Sequence, residues 1–279
     1  INNLLNTIIK FNKLYLYMTN RLRHCTGTNF GDGSNPWLFK HYMPNVVSAN
    51  AWNTQDKIYK DKTILGMGSI IGFMSLNDIV CGSGIIKESA SPKFGPGRVK
   101  EMEMVRGPLT YDALTKKGYK VKKIFGDPGL LFSDAYKSKS SKKYDIGIIP
   151  HFVDKKLPNV DKLLDSGVKF IDVQQAEGNE EKFLDEVNEC NIILSSSLHG
   201  VIIGDSYNIP SYHIKLSDQL IGGDFKFKDY YYSVGREYSY LDATGEDFNR
   251  QMLDKYIYSY KCEYDLELIK NTVINVGKM

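Results

Sequence analysis

The 279-residue chain has four cysteines, and none of them forms a CxxC pair. Cys25, Cys81, Cys190 and Cys262 are scattered along the sequence, so their spacing supports neither a zinc cluster nor a disulfide framework. Cys81 and Cys190 lie among apolar residues and read as small core residues, which fits a reducing cytoplasm. No apolar run approaches the roughly 20 residues that a membrane span requires. The opening stretch "INNLLNTIIKFNKLYLYM" lacks a basic start, a long apolar core and a small-residue cleavage site, so no signal peptide is expected. Charge of one sign is also scarce. The formal net charge of +3, without a Lys/Arg block, argues against a nucleic-acid partner. The densest basic run, "KSKSSKK" from Lys137 to Lys143, has no aromatic or apolar residue and reads as a solvated linker. There is no Asp-x-Asp pair and no His/Cys cluster, so neither a metal nor a resident cofactor is expected.

What remains is ordinary globular composition, 42% hydrophobic and 25% charged, in a chain long enough for two domains. Apolar runs alternate with helical patterns. Strands are expected at Lys13–Met18, at Lys62–Ile71 and Asp78–Ile86, which run into glycine turns, at Val99–Gly107, which alternates polar and apolar, and at Val121–Phe132, which ends in a turn. A Gly/Asn/Asp-rich loop spans Thr26–Asn35, a proline-started helix covers Pro36–Met43, and another occupies Gly107–Gly118. After the Ser/Lys linker the pattern restarts. Strands at Tyr144–Pro150, Val168–Val173, Asn191–Ser196 and Ser211–Leu216 enclose helices at Val160–Gly167, Asn179–Cys190 and Leu198–Asn208. One or two amphipathic helices over Gly245–Asn275 end the chain. Such alternation predicts an α/β fold of parallel sheets, arranged as two Rossmann-like domains joined near residues 135–143. The terminal helix is expected to pack back on the first domain.

Chemistry concentrates in a few strings. "ILSSSLHGVIIGDSYNIPSY" puts His199 at a helix start beyond the carboxyl end of a strand, where open sheets of this kind bind ligands. Ser195–Ser197 supply capping hydroxyls, and the free N–H groups of the helix suit an anion. The alternative is a histidine that only hydrogen-bonds nearby backbone. "NFGDGSNPWL" places Asp32 where it either takes a sugar proton or serves as a turn residue. "VCGSGII" is a tight glycine turn without a phosphate fingerprint. In "VRGPLTYDAL", Arg106 precedes a helix start, a position the helix dipole disfavours, which suits an anion-binding fork better than a local ion pair. Asp127 in "GDPG" reads as a turn carboxylate, and "KFKDYYYSVGRE" gathers three tyrosines with Lys226, Asp229 and Arg236 as a sugar platform or an aromatic hinge.

Taken together, "NFGDGSNPWL", "GSGI", "VRGPLT", "GDPGLL", "SSSLHG" with "DSYNIPSY", and "KFKDYY" resemble the polysaccharide pyruvyl transferase family, in its order and over roughly Asn29 to Gly235. The resemblance implies a glycosyltransferase-B-like pair of domains, residues 1–138 on the acceptor side and 139–245 on the donor side, with 246–279 crossing back. It implies transfer of the enolpyruvyl unit of phosphoenolpyruvate (PEP) onto two hydroxyls of one sugar, giving a pyruvate ketal and phosphate. His199 and Arg106 match the family's PEP-contacting residues, and Asp32 joins them as a catalytic candidate. Asn29, Gly31, Ser83, Gly84, Ser196, Ser197, Leu198, Gly200 and Lys226 are the substrate-binding candidates. Some members carry arginine where this chain has Ser197, and Lys226 is the candidate replacement for that lost charge. The implied acceptor is a cell-surface polysaccharide or a lipid-linked precursor; the latter would bring peripheral membrane contact to a cytoplasmic enzyme without a transmembrane segment. Two rival readings are a nucleotide-sugar glycosyltransferase, with Glu177 or Glu180 as the ribose-binding carboxylate, and an inactive sugar-binding module.

Overall fold

The computed structural model describes residues 20–27, 29–50, 63–175, 178–245, 251, 253 and 260–279. The strand expected at Lys13–Met18 and much of the segment 245–275 lie outside them. The first half holds β1 (Asn20–His24), α1 (Phe30–Gly33), α2 (Asn35–Tyr42), β2 (Val46–Asn50), β3 (Thr63–Leu65), β4 (Asp78–Val80), α3 (Pro108–Thr115) and α4 (Phe132–Ala135). The second half holds β5 (Tyr144–Ile149), α5 (Pro158–Asp165), β6 (Lys169–Phe170), α6 (Glu180–Asn188), β7 (Cys190–Ser195), α7 (Leu198–Ser206), β8 (Ser211–Lys215), α8 (Phe225–Ser233) and β9 (Tyr240–Asp242). The terminal helix α9 is Leu266–Lys278.

The strands form two separate parallel sheets, ordered β2-β1-β3-β4 and β6-β5-β7-β8-β9. This is a mixed α/β, Rossmann-like architecture. In both sheets the chain leaves its first strand toward one edge and returns on the other side. The order therefore reverses between β1 and β3 in one sheet, and between β5 and β7 in the other. Ligands of open α/β sheets settle beyond the carboxyl ends of the strands at such reversals.

Several expectations change in detail. The stretch Val99–Gly107 is not a strand: Met102, Met104 and Val105 make only isolated parallel bridges to Val121, Cys81 and Phe125. Its alternation is real, because Met102 and Met104 are buried, but the ladder is too short to propagate. The loop Thr26–Asn35 contains the short helix α1, started by the Asn29 side chain accepting from the Gly31 N–H at 3.3 Å. The segment after α4 is largely exposed, as expected of a solvated linker, but it is tied down at two points. Ser138 Oγ donates to Asp185 at 2.6 Å and Lys142 Nζ to the Cys190 carbonyl at 2.6 Å, fastening it to the second half.

The halves share apolar core. Phe30 stacks on Phe183 with ring centroids 4.0 Å apart, and the Phe30 N–H donates to the Val173 carbonyl at 2.7 Å. α9 returns to the first half, where the Gly277 carbonyl accepts from Asn20 and Lys270 pairs with Asp134 at 2.9 Å. Gly277 permits that docking, since a β-carbon there would lie 2.8 Å from Met43 Cγ. Among the described residues, no helix is long and apolar enough to cross a membrane.

Candidate functional site

The two reversal points face each other. From the first sheet, α1 brings Gly31 and Asp32 just beyond β1; from the second, α7 brings His199 just beyond β7. A β-carbon on Gly31 would lie 1.9 Å from His199 Nδ1, so backbone of one half rests directly on the imidazole of the other. Glycine is required here by close approach rather than by backbone conformation. Gly31→Ala is accordingly expected to displace the His199 ring, with activity falling at least tenfold while the melting temperature moves by only a few degrees. Parallel activity and melting measurements on that variant check it.

His199 is 8% exposed, and its buried Nε2 has no hydrogen-bond partner. Burial pushes its pKa down to about 3, and the positive charges of Arg106 and Lys226 push the same way. The ring is therefore neutral near pH 7, from desolvation and cations rather than from the helix start alone. Beside it, burial raises the Asp32 carboxyl to about 6 against the opposing pull of Lys226. Lys226 is 9% exposed, and burial with repulsion from Arg106 lowers its ammonium to about 8, partly offset by Asp32 and Asp154. No hydrogen bond or ion pair to Lys226 occurs among the described residues; its ammonium lies 5.5 Å from the Phe227 ring centroid. A nearly buried, unpaired cation is costly unless something anionic shares its environment.

Two residues that sequence reasoning passed over complete the cluster. His151 follows β5, and its ring is lowered to about 4 by burial and by Lys226. Asp154, wholly buried, accepts from Ser196 Oγ at 2.7 Å and from Ser217 Oγ at 2.6 Å, cross-bracing the loops after β5, β7 and β8. The string "PHFVDKK" directly after a strand was the available signal, and it lacked a glycine or serine turn to draw notice.

The other candidates separate into distinct positions. Ser197 caps α7 by position, but its side chain makes no capping bond, leaving the hydroxyl uncommitted. Ser196 is committed, donating to Asp154 and accepting from the His151 N–H at 2.9 Å. Ser83 is wholly buried and donates to the Gly66 carbonyl, so its hydroxyl does not face the site. Leu198 packs in the core, Asn29 is the α1 cap, and Gly200 clears Ser195 Oγ, which a β-carbon would approach to 2.2 Å. Gly84 makes room for the Arg106 guanidinium, whose Cζ would be 2.3 Å from a β-carbon there.

Arg106 departs most from expectation. Three of its five N–H groups are already engaged: Nε donates to Asp229 at 3.0 Å, Nη1 to Ser69 Oγ at 2.6 Å and Nη2 to the Ile85 carbonyl at 2.9 Å. The ion-pair alternative holds, with a partner from the other half of the molecule instead of the local helix. Lys226, not Arg106, is the uncommitted cation. Asp127 is a turn carboxylate that accepts from the Gly129 N–H at 2.9 Å. Of the "KFKDYYYSVGRE" tyrosines, Tyr230 and Tyr231 are buried, with Tyr230 donating to Asp205, and Tyr232 is exposed. Glu180, a rival ribose-binding candidate, accepts locally from the Gly178 N–H at 2.9 Å; Glu177 lies outside the described residues.

Residues 104–218, which span Arg106 and the β7–α7 turn, match the family model described as polysaccharide pyruvyl transferase. Over this segment the chain is similar to the polysaccharide pyruvyl transferase family. Similarity extends beyond the segment. An uncharacterized protein, L143, of Acanthamoeba polyphaga mimivirus is 32% identical over 182 residues, 61% of this chain and 60% of that protein. The succinoglycan biosynthesis protein ExoV of Rhizobium meliloti (strain 1021) is 23% identical over 216 residues, 75% of this chain and 63% of that protein. The match thus spans about three fifths of the length of these relatives. Within this polysaccharide pyruvyl transferase segment fall Arg106, His151, Asp154 and His199, whereas Asp32 and Lys226 come from outside it.

Proposed function

We propose that the chain transfers the enolpyruvyl unit of PEP onto two hydroxyls of one sugar in a polysaccharide or its precursor, forming a pyruvate ketal and releasing phosphate. The observation that carries this reading is the meeting of an unpaired, nearly buried Lys226, a neutral His199 with an unsatisfied ring nitrogen, and Asp32, where the two strand-order reversals converge. The family match supports pyruvyl transfer, and the printed role of ExoV in succinoglycan biosynthesis supports a polysaccharide acceptor. The paired sheets suit a glycosyltransferase-B-like arrangement with the acceptor on the Asp32 side and the donor on the His199 side. No resident cofactor enters the proposal.

PEP brings a carboxylate and a phosphate, and Lys226, the open N–H groups of α7 and the Ser197 hydroxyl are the groups that would receive them. The first sugar hydroxyl adds to C2 of PEP as its proton is lost and C3 gains a proton, leaving a methyl group. The second hydroxyl then bonds to C2 as the C–O bond to phosphate breaks. One hydroxyl proton ends on C3 and the other leaves with phosphate, so the reaction balances. His199, neutral before PEP arrives and raised by the incoming negative charge, is suited to pass the first proton. Asp32, ionised only above about pH 6, is suited to take the second.

PEP should raise the melting temperature and release phosphate when a diol-bearing glycan is added. Stabilisation by nucleotide sugars with none by PEP would overturn the reading in favour of a glycosyltransferase. The pH dependence is also set. Activity needs Asp32 ionised and Lys226 protonated, so kcat/KM should rise through about 6 and fall through about 8. The PEP phosphate itself titrates near 6, so the assignment rests on Asp32→Asn, whose low residual activity should lose part of the acidic limb.

A further inference from the structure

We propose that Asp229 is the positioning residue of the site, a single carboxylate that locks the two halves together and sets Arg106 and Lys226 against His199; this rests on the pyruvyl-transfer reading above. Asp229 belongs to α8 in the second half, yet every partner of its side chain lies in the first. Its Oδ2 accepts from Arg106 Nε at 3.0 Å and from Thr110 Oγ1 at 2.7 Å, and its Oδ1 accepts from the Thr110 N–H at 2.8 Å. Both members of the ion pair are fully buried.

The Thr110 N–H belongs to the first turn of α3, so a carboxylate from a helix of the other half caps it. Backbone closes over the same point: a β-carbon on Gly107 would lie 1.9 Å from the Asp229 carbonyl oxygen. Gly107 is the residue between Arg106 and the helix, so the end of the bridged stretch, the helix start and α8 meet with no side chain intervening. Lys226 stands three residues before Asp229, one turn away on α8. Fixing Asp229 therefore fixes Lys226 along the helix axis, and the Ser69 and Ile85 bonds fix the far side of Arg106. The groups that act on Lys226 come from both halves: Arg106 and Asp32 from the first, Asp154 from the second. His151, His199 and His213 in turn feel its charge. A shift of α8 would change all of these at once.

Asp229→Asn keeps an acceptor for the Thr110 N–H but removes the charge that offsets Arg106. In the folded variant PEP should bind at least tenfold more weakly. The alkaline limb of kcat/KM should also move below its wild-type position, because an uncompensated Arg106 further disfavours a charged Lys226. A purely structural carboxylate would lower the melting temperature and leave that limb in place. Thr110→Val removes the hydroxyl that donates to Asp229 and accepts from the Ile85 N–H, keeps the ion pair and reports even where Asp229→Asn does not fold: PEP should bind three- to tenfold more weakly. Equal PEP affinity in folded Thr110→Val, or equal affinity with an unmoved limb in folded Asp229→Asn, overturns the assignment. Wild-type protein that neither binds PEP nor releases phosphate from it would instead remove the functional reading beneath it.

Discussion

Replacing His199 with Asn should lower PEP-dependent turnover about a hundredfold or more, the usual range for loss of a general acid–base group, while leaving stability nearly unchanged. The two halves of that expectation have one origin. The imidazole is packed under Gly31, but its Nε2 is buried without a partner. A buried polar atom left unpaired costs about 1–3 kcal/mol, so removing it forfeits no hydrogen bond. The void left by the smaller Asn costs a comparable amount and largely cancels that relief. A net change within about 1 kcal/mol corresponds to only about 2–4 °C in melting temperature at this chain length. Melting temperature and phosphate release on one preparation decide the matter. A strongly destabilised variant with normal activity per folded molecule would make His199 architecture. Acid should expose the same group. Because its folded pKa lies below the ordinary value of 6.5, the unfolded chain takes up the proton first, and stability drains away as pH falls from about 6.5 toward 3. His151 and His213, lowered to about 4 and about 3, act in the same direction.

Asp205→Ala is expected to be the most destabilising single change, about 3–5 kcal/mol. Asp205 closes α7 at the end opposite His199 and is fully buried. It accepts from Arg236 Nη1 at 2.9 and 3.0 Å, from Tyr230 at 2.7 Å and from Tyr260 at 3.0 Å, and it also bonds Ser211 Oγ. Alanine would strand a guanidinium that is itself 8% exposed, together with two tyrosine hydroxyls. At about 2–4 °C per kcal/mol the melting temperature should fall by about 6–20 °C. Activity per folded molecule at low temperature should fall far less than in His199→Asn, since Asp205 reaches α8 through Tyr230 and makes no hydrogen bond to Lys226, His199 or Asp32. A melting temperature within 2–3 °C of wild type would show that the network contributes little.

Local grammar determined a good deal. An apolar run, a serine turn and an unbroken apolar segment ending before Pro210 define β7, α7 and β8, because strand and helix signals are properties of neighbouring residues. His199 at a helix start was legible for the same reason, as were the proline-started α2 and α3. The short strands and the bridged stretch Val99–Gly107 were harder, because their extent depends on pairing partners and not on their own pattern. Site chemistry divides along the same line. Asp32 and Lys226 were named from their strings, but their facing one another, and the drift of their titrations toward neutrality, arise only where two sheets meet. Arg106 shows the limit most clearly. Its residue type and place beside a helix start suggested an open fork, and only the fold could reveal that Asp229, 123 positions further along, engages it. Hydrogen-bond capacity is written in the sequence; which partner consumes it is decided by packing, because that partner arrives from another element.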